Sequence, residues 1–121
     1  IKAYPNFIQA HSNLGAVLNK LNRSKEAIPH LEKAIQLDPE FGVAYFNLGN
    51  AYFKENNLFK ARNAYDLAIS KGTNFLSIHW NLYDLYVRND KKLKAKKELE
   101  VILQLEPENL EAKKKIEAFP R

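Results

Sequence analysis

The sequence predicts an all-α chain of antiparallel helix pairs stacked in series, and three observations carry that expectation. Residue types recur at an interval of 34 without an insertion. Within each interval the apolar residues fall at helical spacing. Turn-forming and helix-stopping residues stand at the same offsets from one interval to the next.

The register is visible in columns. Leu14, Leu48 and Leu82 form one; Gly15, Gly49 and Tyr83 another; Leu18, Tyr52 and Tyr86 a third. Further along stand Ala27, Ala61 and Ala95, then Leu31, Tyr65 and Leu99, then Ala34, Ala68 and Ile102. Each unit reads as a helix A, a break and a helix B. In the second unit Tyr45, Leu48, Ala51 and Tyr52 recur as helix A requires, with Tyr45, Leu48, Gly49 and Tyr52 turned toward the helix-B partner. Asn22, Asn56-Asn57 and Asn89-Asp90 then break the chain, being types that accept turn and cap conformations. Helix B is expected over roughly 24–37, 58–71 and 92–105, stopped by Asp38-Pro39, Lys71-Gly72 and Glu106-Pro107. Small residues at Gly15, Ala27 and Ala34 allow the paired backbones to approach closely. Pro29, in the second turn of helix B, costs one hydrogen bond and a slight bend.

The Leu-Gly-x-x-Tyr, Ala, aromatic-or-Leu, Ala and Pro columns resemble the tetratricopeptide repeat family, over nearly the whole chain. The resemblance implies a right-handed superhelical solenoid with three full repeats, 8–41, 42–75 and 76–109. Residues 1–7 match the tail of a preceding repeat, and the array is expected to continue upstream of Ile1. Residues 110–121 match the start of a fourth helix A but carry charge on most faces and meet Pro120, as a solvating C-terminal cap does. The third repeat departs from the columns at Tyr83, Thr73 and Ile102.

Composition narrows the chemistry. The 121 residues contain no Cys, which removes disulfides, thiolate metal sites and cysteine nucleophiles together. No apolar run reaches the length of a membrane span, and a reducing, cytoplasmic location is the expectation. The net charge of +5 favours an acidic partner without naming one. The densest basic run, Lys91 to Lys97, spreads around the start of a helix, as a solvated face does more often than a nucleic-acid site. His11 and His79 fall in the column of Tyr45 and read as packing residues; His30 has no ligand partner at suitable spacing. No phosphate-cradling loop and no nucleophile with a base is present, so neither a cofactor nor an enzymatic activity is expected.

What remains is the side of helix A away from its helix-B partner. It carries Val43, Asn47, Asn50 and Lys54 with Phe46 and Phe53 beside them, then Gln9, Asn13, Ala16 and Lys20, and Ser77, Asn81, Asp84 and Arg88. The resemblance implies that the A helices line a concave groove. Asn13, Asn47 and Asn81 would then point into it, one per repeat. An amide offers a donor and an acceptor together, the complement of one peptide unit. Such a row resembles the asparagine ladder in the tetratricopeptide region of a glycosyltransferase. At about 0.5–1.5 kcal/mol net per bond, largely offset by ordering of the peptide, it would give micromolar binding. The competing reading is that the amides brace neighbouring A helices. Phe46, Phe53 and Trp80 are either binding anchors or packing against the next repeat. Lys20, Lys54 and Arg88 suit an acidic segment or simply complement the helix dipole.

The family's clamp for a chaperone's C-terminal carboxylate maps onto Ser12, Ala16, Asn47, Ser77 and Asn81, of which only Asn47 keeps the required type. The expected function is therefore a protein–protein interaction module for an extended peptide in the groove. Two other readings stand beside it: the substrate-docking region of a larger enzyme such as a glycosyltransferase, and a scaffold that self-associates through the exposed ends of the array.

Overall fold

The computed structural model describes residues 5–119, with side chains from residue 7 onward. Residues 1–4, expected to belong to a preceding repeat, and the Pro120 stop lie outside the described residues. Seven helices account for most of the described chain: α1 Pro5–Lys20, α2 Ser24–Leu37, α3 Gly42–Lys54, α4 Leu58–Ser70, α5 Leu76–Arg88, α6 Lys92–Leu105 and α7 Leu110–Glu117. No strand occurs among the described residues. The fold is all-α, built of helix pairs α1/α2, α3/α4 and α5/α6 followed by α7. Residues 5–7, expected as the tail of a preceding repeat, form the first turn of α1. The chain divides into two compact units, residues 1–74 and 75–121.

The turns inside the pairs arise from the residue types that the repeat places there. Asn22, Asn56 and Asp90 all adopt left-handed backbone, with φ of 60°, 55° and 57°. Asn and Asp tolerate this region better than other side-chain-bearing residues. At each turn the following N–H reaches back to a carbonyl five residues earlier: Arg23 to Leu18, Asn57 to Tyr52 and Lys91 to Tyr86. That bond closes the end of helix A and reverses the chain within a few residues. Asn57 also caps α4, its side chain accepting from the Lys60 N–H. Helix α2 continues through Pro29.

In the first unit the pairs pack through the small-residue columns. Ala27, Ala34, Ala61 and Ala68 are fully buried, as are Leu31 and Tyr65. A Cβ placed on Gly15 would stand 2.5 Å from Leu31, and one on Gly49 would stand 2.5 Å from the Tyr65 ring. Both glycines are thus the condition for helix A to lie against its helix B. Leu48 was expected to share that interface but packs the other way, onto a cluster of Leu18, Ala27, Leu31 and Ala51. Each helix A inside an array has two neighbours, and Leu48 belongs to the second.

The seam between α1 and α3 is polar. Asn47 Nδ2 donates to the Ser12 hydroxyl at 3.0 Å and to the Ser12 carbonyl at 3.3 Å. Asn19 Nδ2 donates in return to the Asn47 carbonyl at 2.9 Å. All three residues are buried, with exposures of 0% for Ser12, 4% for Asn19 and 6% for Asn47.

The second unit joins α5, α6 and α7. Leu99, Ile102 and Ala112 form its core, with Leu76, Trp80, Tyr83, Leu103, Ile116 and Phe119 packed around them. Tyr83, in the column of Gly15 and Gly49, lies against this core and meets the Trp80 ring edge-on at 5.9 Å. Buried His79 holds its Nδ1 2.8 Å from a Glu98 carboxylate oxygen, linking α5 to α6. It is a packing residue, as expected, with a polar partner that the sequence did not reveal.

Two substitutions test this packing. Gly49→Val forces the fully buried Tyr65 ring aside, and overpacking of this kind costs about 1–3 kcal/mol; chemical denaturation followed by circular dichroism should show the loss. Asn47→Ala strips the Ser12 hydroxyl and carbonyl of a buried donor, and a cost of about 1–3 kcal/mol is expected in the same assay. A variant as stable as the parent would mean that the seam contributes nothing.

Candidate functional site

In the first unit, the Ser12–Asn47 and Asn19–Asn47 bonds set α1 and α3 side by side. Rotation by 100° per residue from those contacts leaves one further side of each helix. On α1 it bears Gln9, Asn13, Ala16 and Lys20; on α3 it bears Val43, Phe46, Asn50 and Lys54. All eight are exposed or half-buried. Phe53 follows Phe46 by two turns and is half-buried as well.

Tyr65 of α4 organises the aromatic part of this surface. Its hydroxyl donates to Asn50 Oδ1, and its ring lies 6.3 Å from that of Phe46. Since Tyr65 is fully buried, a rigid side chain underpins both groups. Nothing local in the sequence identifies Tyr65 as a support, because it occupies an ordinary core column.

The asparagine row needs a correction. Asn47 was expected to open toward a visiting peptide, yet it is buried and its amide nitrogen is committed to Ser12. The position borders the preceding helix A, and for Asn47 the competing reading holds, the amide bracing a neighbouring A helix. Its partners Ser12 and Asn19 were not identified from the sequence. Asn13, at the matching place on α1, is exposed. Asn81, on α5 in the second unit, is half-buried.

Other expected residues divide between surface and packing. Trp80 is half-buried and packs on the core of the second unit, which favours the structural role over that of an anchor. Lys20 is exposed. Lys54 donates to Asn22 Oδ1 at 3.2 Å, tying the end of α3 to the α1–α2 turn. Arg88 is paired with Asp84 at 2.7 Å, one turn away on α5. Of the cation column, only Lys20 keeps the simple form of an exposed charge.

The rings of Phe7, His11 and His30 form a stack, with successive centroids 5.3 and 5.8 Å apart. His11 is thus held by packing, and it brings His30 close although the two are far apart in sequence. No group of three His, Asp or Glu able to hold a metal occurs among the described residues. Burial, with the Glu32 carboxylate as a second cause, pushes the Tyr52 phenol above its usual range; it stays neutral and offers no base. No helix is long and apolar enough to cross a membrane among the described residues. What the arrangement offers is a surface of amides and half-buried aromatics, suited to contact with another chain.

Comparison with known proteins agrees with this architecture. A family model described as tetratricopeptide repeat matches residues 8–41, and a second of the same description matches residues 30–63. No curated protein sequence matches the chain. Among solved structures, the chain is similar to the first tetratricopeptide domain of the human RPAP3 protein, determined by NMR. Identity is 25%, the match covers 94% of this chain and 90% of that one, and the TM-score is 0.79. It is also similar to the first tetratricopeptide domain of Spaghetti (RPAP3), solved with the HSP90 peptide SRMEEVD. There the identity is 25%, coverage 97% and 93%, and the TM-score 0.82. A third, YrrB, described as having an unusual peptide-binding site, shares the fold at 22% identity, with 95% of this chain and 57% of that one covered and a TM-score of 0.76. With the repeat columns, the helix pairs and these matches together, residues 8–63 carry tetratricopeptide repeats, and the chain as a whole shares the fold of tetratricopeptide domains.

Proposed function

We propose that the chain is a protein-interaction module that holds an extended partner segment against the open sides of its A helices. The observation that carries this reading is the pair Phe46 and Phe53. These rings stand two turns apart on α3, half-buried, beside Asn50 and level with a helix that exposes Asn13. Aromatic groups held partly out of water are the usual energetic centres of a protein interface. Asn13 and half-buried Asn50 supply amide groups that can complement a peptide backbone, and Asn81 offers a like group within the second unit. The ladder is therefore shorter than three rungs, Asn47 being structural.

Lys20 and the net charge of +5 favour an acidic segment. The similarity to a tetratricopeptide domain solved with a peptide supports the general mode. The chaperone tail itself is not the expected ligand here. Of the clamp positions, Ser12, Ala16, Ser77 and Asn81 all depart from the type required, and Ser12 is buried under Asn47.

The test is selection of binders from a phage-displayed random peptide library, followed by comparison with Phe46→Ala/Phe53→Ala. The double variant should keep its far-ultraviolet circular dichroism and lose at least about tenfold in affinity for the selected peptides, about 1.4 kcal/mol. Undiminished retention by a folded double variant would remove this surface from consideration.

A further inference from the structure

In the second unit a cavity of about 470 Å³ opens between α5, the start of α6 and α7. Tyr83, Val87, Lys92, Lys115, Ala118 and Phe119 line it. Its volume falls within the range of small-ligand sites, ~300–1,000 Å³. Two aromatic rings and two aliphatic side chains make the walls, and two ammonium groups supply the polar contribution.

The repeat explains why a space exists here. Counting 68 residues on from Ser12, Asn19 and Asn47 gives Trp80, Val87 and Lys115. In the first unit those residues close the seam between neighbouring A helices, the Asn47 side chain donating to the Ser12 hydroxyl and the Asn19 side chain to the Asn47 backbone carbonyl. In the second unit Val87 has no donor to offer, and Lys115 places its ammonium 5.7 Å from the centre of the Tyr83 ring. The position that carries Asn in three repeats is thus a cation in the fourth.

Among the described residues Lys115 meets an aromatic ring, but neither Lys92 nor Lys115 has a carboxylate partner. Lys92 is the first residue of α6, where the positive end of the helix dipole disfavours a cation. An anion near the two lysines would relieve both effects, and an apolar group attached to it would lie in the open hollow between Tyr83 and Phe119.

We propose that this cavity receives a bulky apolar side chain together with a neighbouring carboxylate from the partner segment. Only the identity of the occupant rests on the peptide-binding reading; the chemistry of the cavity does not.

The test is a titration of the ¹⁵N-labelled full chain, monitored by NMR, with N-acetyl-phenylalanine and separately with its uncharged amide. Saturable shifts at Tyr83, Val87, Lys115 and Phe119 are expected, with the acid binding about fivefold more tightly than the amide. Lys92→Gln/Lys115→Gln, at residues outside the core, should erase that preference and leave the amide's weak binding in place. Equal affinity for acid and amide, shifts centred elsewhere, or no shifts at low millimolar ligand would overturn the site. Tighter binding of 3-phenylpropanoate, which has no peptide group, would overturn the assignment to a partner segment. Phe46→Ala/Phe53→Ala should leave these shifts unchanged. Loss of library peptides with intact cavity binding would then support the two sites as separate, whereas library binding that depends on Phe46 and Phe53 in a parent chain whose cavity gives no shifts would sink the cavity alone.

Discussion

A missing methyl group at two positions governs how the first unit is assembled. At Gly15 and Gly49 the partner helix comes so near that a Cβ would stand 2.5 Å from Leu31 or Tyr65. Close approach brings the alanine columns into contact and buries Leu31 and Tyr65 completely. Interiors packed at this density transmit displacements rather than absorb them. Because Tyr65 also positions Asn50 and backs Phe46, the spacing of a helix pair fixes the shape of its outer surface.

Between pairs a different kind of contact operates. Apolar packing alone would let two A helices slide past each other, whereas Asn47 bonded to both the carbonyl and the hydroxyl of Ser12 fixes their register. Asn19 adds a bond from the opposite side. The buried amides cost desolvation, which their donated hydrogen bonds offset in part, since Asn19 Oδ1 is buried without a partner among the described residues. A residue type that looks like a ligand contact when viewed along one helix is a structural tie when its neighbour is included. In the second unit the corresponding positions hold Trp80, Val87 and Lys115, and there the contact is replaced by a lined space.

The fold was legible because its determinants are local and repeated. The left-handed turns at Asn22, Asn56 and Asp90 fall where turn-tolerant residues recur, and helix B runs over 24–37, 58–70 and 92–105, within a residue of expectation. Gly15, Ala27 and Ala34 announced the close approach through size alone. The surface was legible only in part. Whether Asn47 or Asn13 is open depends on Ser12, a residue 35 positions from Asn47, and no periodic pattern reports on such a partner. Trp80 was ambiguous for the same reason, since a ring on helix A can turn outward or settle on its own core. Lys115 escaped notice because the change from amide to ammonium hides its membership of the column.

The turn at Asn22 has a consequence for how the repeats adhere. Glycine would occupy φ of 60° with less strain, so the backbone alone gives no reason to keep a side chain there. The carboxamide oxygen, however, receives the Lys54 ammonium from the following helix pair. A corner of the chain thereby doubles as a latch, and easing its geometry with glycine would loosen the grip of one repeat on the next.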